Sequence, residues 1–168
     1  ELIKNTIIEN DNKPSCISNQ LGNHPGEKDV HNKFITWIRL CFLSKNPKAL
    51  LPDNKTHENK RVVELLVEWC DEMSNLDRQA QVQFIKTSAE ICRHAFLLNY
   101  NLGFSLYPKI YHPDFSLKSF SKYMKANNIS EIFSLLNNAH YYLNRYANSK
   151  ILFLDLSFSL SNLLHKKN

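Results

Sequence analysis

Glycine is scarce in this chain, with three glycines among 168 residues. A loop that cradles phosphate needs glycines, because its backbone amides must approach the ligand closely. Gly22, Gly26 and Gly103 form neither the G-x-x-x-x-G-K-[ST] nor the G-x-G-x-x-G fingerprint. A nucleotide-binding site within this chain is therefore not expected, and we expect no cofactor.

Metal-binding motifs are also missing. The four cysteines are Cys16, Cys41, Cys70 and Cys92. They form no C-x-x-C pair, and the seven histidines form no H-E-x-x-H motif. The nearest metal-like pair is Glu90 with His94, but two residues four apart are a common helix-surface pair. We expect no metal site, and we interpret the cysteines as reduced thiols, three of them on apolar helix faces.

Long apolar runs are absent from the sequence. No run approaches the ~20 residues that span a bilayer. The first residues, Glu1-Leu-Ile-Lys-Asn5, lack the basic-then-apolar layout of a signal peptide. We expect a cytoplasmic protein with no membrane partner.

Charge is mildly basic, with 21 Lys and Arg against 16 Asp and Glu, a net charge of +5. The basic residues are scattered, and no cluster is longer than Lys166-Lys167. A dedicated DNA-binding face needs cations gathered on one face. A freestanding basic helical nucleic-acid-binding module therefore stays an alternative.

Apolar residues recur at three- and four-residue spacing over much of the chain, which predicts amphipathic helices. We expect a first core helix with Asp29 as its N-cap and a second over Val62–Met73. A third carries the apolar run that starts at Phe84 and continues to Leu98 or Leu102, with Gly103 suited to the position after its end. The polar segments 10–28 and 46–58 are predicted to be loops.

The last third of the chain predicts three further helices. A short one lies around Phe115–Met124, and Asn128 with Glu131 three residues on resembles the start of a longer one. The alternating segment Leu154–Ser161 fits a strand or a helix, but a single strand would leave an unpaired edge, so we expect a helix. The predicted fold is all-α, a compact bundle of about five to seven helices.

Aromatic residues beside an arginine are the clearest candidate contact surface. Tyr141 and Tyr142 lie next to Arg145, with Tyr146 following. Aromatic residues and arginine are enriched at interface hot spots. Packing within the core is the competing interpretation. His140 beside them could act as a general base, but the sequence places no carboxylate or nucleophile with it, so no catalytic residue is expected.

Six segments in order along the chain carry a resemblance to a known family: Phe34–Phe42, Asn75–Phe84, Ala95–Asn99, Asn128–Phe133, Asn138–His140 and Asn148–Leu156. They resemble the C-terminal region of the delta-prime subunit of bacterial DNA polymerase III, in the form found in the Bacteroidetes lineage. The resemblance covers about residues 33 to 167.

The resemblance implies a part of the clamp loader, the ATP-driven pentamer that opens the sliding clamp and places it on primed DNA. Residues 1–28 would be the end of a lid domain with a flexible linker, and residues 29–168 would be the helical collar domain. The partners implied are the delta and gamma/tau type subunits, with DNA only indirectly involved. The family's ATPase, zinc-binding and arginine-finger elements belong to an N-terminal module outside this chain, so the fragment itself would not be an enzyme.

A collar domain leaves apolar and aromatic surface for its neighbours. The residues that this role implies as subunit contacts are Tyr141, Tyr142, Arg145, Phe153 and Phe158. For the two phenylalanines, packing within the core is the favoured interpretation. A small RNA-cleaving enzyme is disfavoured, because none of the five arginines has a histidine five to seven residues downstream.

Overall fold

The computed structural model describes residues 25–46, 48–52, 59–100 and 115–166 of the chain. Within these ranges it contains six α-helices and one two-stranded sheet. The helices are α1 (Pro25–Leu43), α2 (Val62–Ser74), α3 (Arg78–Asn99), α4 (Leu117–Ser121), α5 (Ile129–Asn144) and α6 (Ser149–Leu164). The predicted all-α bundle is confirmed.

A short hairpin lies in the connection between α1 and α2. Strand β1 (Leu50–Pro52) pairs antiparallel with β2 (Asn59–Arg61), with Leu51 opposite Lys60. The expectation of a loop over residues 46–58 is therefore wrong at residues 50–52. Each strand has three residues, so the pairing adds a local tie at the start of α2 and does not change the fold class.

The first helix starts earlier than the sequence suggested. It begins at Pro25, so Asp29 lies inside its first turns and is not the N-cap. Proline is well tolerated in the first turn of a helix, because the amide that it lacks has no helical partner there. The predicted elements over residues 1–24 and at Gly103 lie outside the described residues.

Aromatic rings from four helices form the centre of the core. Trp37 of α1 stacks on Trp69 of α2, with ring centroids 5.6 Å apart and planes 9° apart. Phe84 of α3 lies 5.4 Å from the Trp37 ring, and Phe153 of α6 lies 5.9 Å from the Trp69 ring. Burial of such rings is a main source of stability and fixes α1, α2, α3 and α6 around one centre.

Buried serines explain how α6 packs. Ser157 and Ser161 lie in the core. The Ser157 hydroxyl accepts a hydrogen bond from Trp37 Nε1 at 2.8 Å and donates to the Phe153 carbonyl at 2.6 Å. A buried hydroxyl is tolerated when its hydrogen bonds are made. The alternating segment Leu154–Ser161 belongs to α6, so the helix predicted for it is confirmed. Its alternation arises in part because Ser157 and Ser161 are polar residues on the core face.

Asn128 links the start of α5 to the end of α6 through a side-chain hydrogen bond that the sequence did not indicate. Its side chain makes no cap hydrogen bond to the first turn of α5. It lies buried, and its amide donates to the carbonyls of Tyr123 at 2.9 Å and Leu163 at 3.0 Å. The N-cap pattern predicted with Glu131 is thus wrong in its contacts, although the helix does begin at Ile129.

Candidate subunit interface

The end of α5 carries the most prominent exposed aromatic surface of the described residues. Tyr141, Tyr142 and Tyr146 are 50%, 49% and 82% exposed. Helical spacing explains the first two, since Ile132, Leu136, Ala139 and Leu143 take the core face of α5. We call these three tyrosines, together with Arg145 and Arg78, the tyrosine-arginine cluster.

Two arginines lie against these rings. The guanidinium carbon of Arg145 is 4.4 Å from the centroid of the Tyr141 ring, and that of Arg78 is 5.6 Å from the Tyr146 ring. Tyr141 and Tyr142 contact each other edge to face at 5.5 Å. Cation–π contacts at exposed sites are worth about 0.5–1 kcal/mol each. They favour the conformers in which each guanidinium lies over its ring.

Tyr146 has the left-handed backbone conformation, with φ of 60°. It directly follows the C-cap Arg145, and two hydrogen bonds close the helix end. The amide of Ala147 donates to the Tyr142 carbonyl, and the amide of Tyr146 donates to the Leu143 carbonyl, both at 3.1 Å. This is the Schellman arrangement, in which glycine usually takes the left-handed position. A residue with a Cβ costs about 1–2 kcal/mol there.

Arg78 ties this helix end to α3. It is the first residue of α3, and both terminal nitrogens of its guanidinium lie 3.3 Å from the Ala147 carbonyl. It also donates to the Gln81 side chain at 3.2 Å. The Arg78 side chain therefore holds the start of α3 to the connection between α5 and α6, next to Tyr146.

A cleft of about 310 Å³ lies beside Tyr146. It is lined by Ser74, Arg78, Tyr146, Ala147, Asn148, Ser149 and Lys150. Its two charged groups are cations, but Lys150 forms a salt bridge with Asp71. Within the part of the chain that the structure describes, neither Arg78 nor Arg145 forms an ion pair with a carboxylate. Among the described residues that line the cleft, the Arg78 guanidinium therefore carries a positive charge that no carboxylate pairs, next to the exposed Tyr146 ring.

The two phenylalanines of α6 have opposite environments. Phe153 is completely buried and contacts Trp69 and Phe84, so its place among the candidate interface residues is corrected to the core. Phe158 is 43% exposed. It lies seven residues after Ile151, which is 65% exposed, so both share the outer face of α6. Phe158 remains a candidate contact residue.

The three cysteines that the structure describes are free thiols buried in the core. Burial raises the pKa of the Cys70 thiol to about 11 and that of Cys92 to about 12. Burial also raises the pKa of Cys41, the third buried free thiol. A thiol with a raised pKa is a poor nucleophile at neutral pH. The prediction that these three are reduced core residues is confirmed, and Cys16 lies outside the described residues.

Glu90 and His94 belong to α3, whereas His140 directly precedes Tyr141 on α5. Burial lowers the pKa of the His94 imidazole, and the charge of Glu90 one turn earlier opposes that shift. In the four described ranges, no three His, Cys, Asp or Glu side chains gather as a metal-binding group. The Nε2 atom of His140 lies 3.3 Å from the side-chain nitrogen of Asn144.

An apolar groove of about 510 Å³ lies between α1 and α4. It is lined mainly by Ile35, Ile38, Phe42, Leu43, Phe115, Phe120, Tyr123 and Leu164. The exposed residues Arg39 and Lys122 also border it. The groove has no cluster of ionisable groups that would indicate a reaction.

Comparison of the chain with models of protein families, with curated proteins and with solved structures found no match in any of the three. A functional assignment therefore has two supports, which are the resemblance in the sequence and the geometry of the tyrosine-arginine cluster. None of the helices in the described ranges combines the length and the apolar character needed to cross a bilayer.

Three of the five candidate contact residues are brought together by the fold. Tyr141, Tyr142 and Arg145 share one exposed helix end, Phe158 lies on the neighbouring helix, and Phe153 is in the core. The sequence indicated Tyr146 only as a neighbour of Arg145. Its unusual backbone could have been noticed, because the connection from Arg145 to Asn148 is short and contains no glycine to take the left-handed position.

Proposed function

We propose that this chain is the collar domain of a delta-prime-type subunit of the bacterial DNA polymerase III clamp loader. The observation that carries the proposal is the tyrosine-arginine cluster, an exposed surface of the residue types found at interface hot spots, held on a packed helix end. The ordered resemblance over residues 33 to 167 supplies the kind of assembly. In this role the domain holds the subunit in the pentamer and supplies no catalytic group or cofactor.

The proposed mechanism needs a rigid domain with an exposed contact face. Rigidity comes from the aromatic core, where α1, α2, α3 and α6 pack around Trp37 and Trp69. The contact face would use Tyr141, Tyr142 and Arg145, with Phe158 on the outer face of α6. The partners would be the delta and gamma/tau type subunits, in the cytoplasm, with DNA bound only by the assembled complex.

Assembly with the partner domains tests the proposal. This chain would be co-expressed with the C-terminal domains of the other clamp-loader subunits of the same organism, and masses would be measured by size-exclusion chromatography with light scattering. We expect a defined hetero-oligomer. Tyr142→Ala and Arg145→Ala should each weaken it about thirtyfold or more, which corresponds to the ~2 kcal/mol or more that a hot-spot residue contributes.

A tyrosine elsewhere provides the matched control. Tyr100 is 51% exposed and follows the end of α3 as its C-cap. Tyr100→Ala should leave assembly unchanged. A chain that stays monomeric beside partner domains that assemble with the full-length subunit would refute the collar proposal.

A freestanding nucleic-acid-binding module is the second candidate. The observation in its favour is the same set of exposed rings beside guanidinium groups, since bases of single strands stack on aromatic side chains and cations neutralise phosphates. A labelled single-stranded oligonucleotide, titrated at two salt concentrations, separates the candidates. Binding that falls steeply with salt and is lost in Arg145→Ala would favour this module.

A further inference from the structure

Tyr146 occupies a backbone position that its side chain makes unfavourable. Its φ of 60° belongs to the left-handed region, and it fills the place in the Schellman arrangement where glycine fits without strain. The ring returns little packing, because Tyr146 is 82% exposed, the highest value among the exposed large hydrophobic residues that the structure describes. Strain of this kind at an exposed residue points to a role in binding.

The contacts around Tyr146 indicate which chemistry would bind there. The Arg78 guanidinium lies 5.6 Å from the ring centroid and lines the adjacent cleft together with Lys150. Asp71 neutralises Lys150. Arg78 uses its terminal nitrogens on the Ala147 carbonyl and on Gln81, which leaves part of its five-donor fork for another acceptor. A carboxylate is the acceptor that a guanidinium binds most specifically in a protein interface.

We infer that Tyr146 and Arg78 form a binding anchor for a partner protein, in which an Asp or Glu side chain enters the cleft and a neighbouring apolar group packs on the Tyr146 ring. Tyr146 is kept at this strained position for binding and lowers the stability of the isolated domain. The identity of the partner as a clamp-loader subunit rests on the proposed function, but the anchor itself does not.

A protein partner fits the charges better than a nucleic acid does. Proteins that bind a nucleic acid usually place several cations along the path of its phosphate backbone. Here one of the two cations in the cleft is already paired with a carboxylate. Among the described residues that line the cleft, Arg78 is thus the one cation without a carboxylate partner. A single guanidinium of this kind beside one large ring matches a single acidic side chain with an apolar neighbour.

Substitution of Tyr146 by glycine separates the cost of the strained backbone from the contribution of the ring. Tyr146→Gly removes the ring and relieves the left-handed residue, so the full chain should unfold at a higher urea concentration while binding its partner at least about tenfold more weakly. Tyr100→Gly is the matched control, because Tyr100 also follows a helix end and is half-exposed but has φ of −103°. It should unfold at lower urea and bind normally.

Either half of this result can overturn the inference. A lower urea midpoint for Tyr146→Gly would mean that the ring stabilises the fold, and unchanged binding would mean that it is no anchor. Arg78→Gln should weaken binding as well, and the loss should be smaller at high salt, where the charge of Arg78 is screened.

A crosslinking experiment keeps the anchor testable if no clamp-loader domain binds. In that case the collar proposal fails, and the photoreactive amino acid benzoylphenylalanine would be placed at position 146 or, as control, at position 100 of the full chain in the source organism. Crosslinks specific to position 146 that join an Asp- or Glu-containing peptide of another protein, with Arg78→Gln abolishing them, would support the anchor. Crosslinks to nucleic acid alone, or none above the control, would overturn it.

Discussion

Ser157→Ala tests whether one buried hydroxyl holds α6 to α1. Trp37 and Ser157 are both completely buried, and the indole Nε1 donates to the Ser157 hydroxyl at 2.8 Å. Alanine removes this acceptor and leaves a buried N–H without a partner, which costs about 1–3 kcal/mol. The higher helix propensity of alanine returns up to ~0.5 kcal/mol. We expect the free energy of unfolding to fall by about 2 kcal/mol.

Urea unfolding followed by far-ultraviolet circular dichroism measures this change without relying on tryptophan fluorescence, which the substitution itself would alter. In thermal unfolding, the same loss should lower Tm by about 4–8 °C for a domain of this size. A double-mutant cycle with Trp37→Phe isolates the bond, because phenylalanine has no N–H. In that background Ser157→Ala should cost at least about 1 kcal/mol less.

Ser161→Ala is the matched control, one turn further along the same helix. Ser161 is also buried, and its hydroxyl lies 3.0 Å from that of Ser44. The Ser44 hydroxyl donates to the Cys41 carbonyl at 2.8 Å, so the substitution leaves no buried donor without an acceptor. It should cost less than about 1 kcal/mol. Equal losses at both serines, or no coupling to Trp37, would refute the reasoning.

Three further predictions concern α6, the α5 start and α3. Phe153→Ala should cost about 3–5 kcal/mol in urea unfolding and Phe158→Ala less than about 1 kcal/mol, because only the first ring is buried; similar losses would contradict this. Asn128→Ala should cost about 2–3 kcal/mol, since it leaves the Tyr123 and Leu163 carbonyls without their donor; a loss under ~0.5 kcal/mol would be inconsistent with these bonds. Burial lowers the pKa of folded His94 below its ordinary 6.5, so its stabilising contribution is complete above that pH and is lost as pH falls through 6.5 toward the folded pKa. The urea midpoint should therefore drop more from pH 7.5 to pH 5.5 in the wild type than in His94→Gln, and equal drops would argue against it.

The helices of the core were predictable because their apolar residues repeat at helical spacing. Ile132, Leu136 and Leu143 take the core face of α5 as the pattern indicated. The last helix was harder, since Ser157 and Ser161 interrupt its apolar face. They are tolerated there by hydrogen bonds to groups distant in sequence, such as Trp37 Nε1, and a local pattern carries no information on such partners.

Other features depend on the tertiary structure. The hairpin of β1 and β2 has three residues per strand, too few to show an alternating pattern. Asn128 looked like a cap, but its amide turns inward to the Leu163 carbonyl, a partner 35 residues away. Phe153 and Phe158 are both phenylalanines of one helix, and only the packing of the neighbouring helices decides which is exposed.

The candidate site was partly predictable. Tyr141, Tyr142 and Arg145 were indicated by residue type and were found together at one exposed helix end. Tyr146 and Arg78 lie 68 positions apart in the chain, and only the folded structure brings them to one cleft. The left-handed backbone of Tyr146 follows from the way α5 ends.

Assembly with partner subunits is the most direct test of the central proposal. The chain would be mixed with the C-terminal domains of the delta and gamma/tau type subunits from the same organism, and the mass of the product measured by light scattering. A hetero-oligomer of fixed composition, lost in Tyr142→Ala but not in Tyr100→Ala, is the predicted result. A monomer in the presence of assembly-competent partners, or an assembly indifferent to Tyr142, would contradict the account.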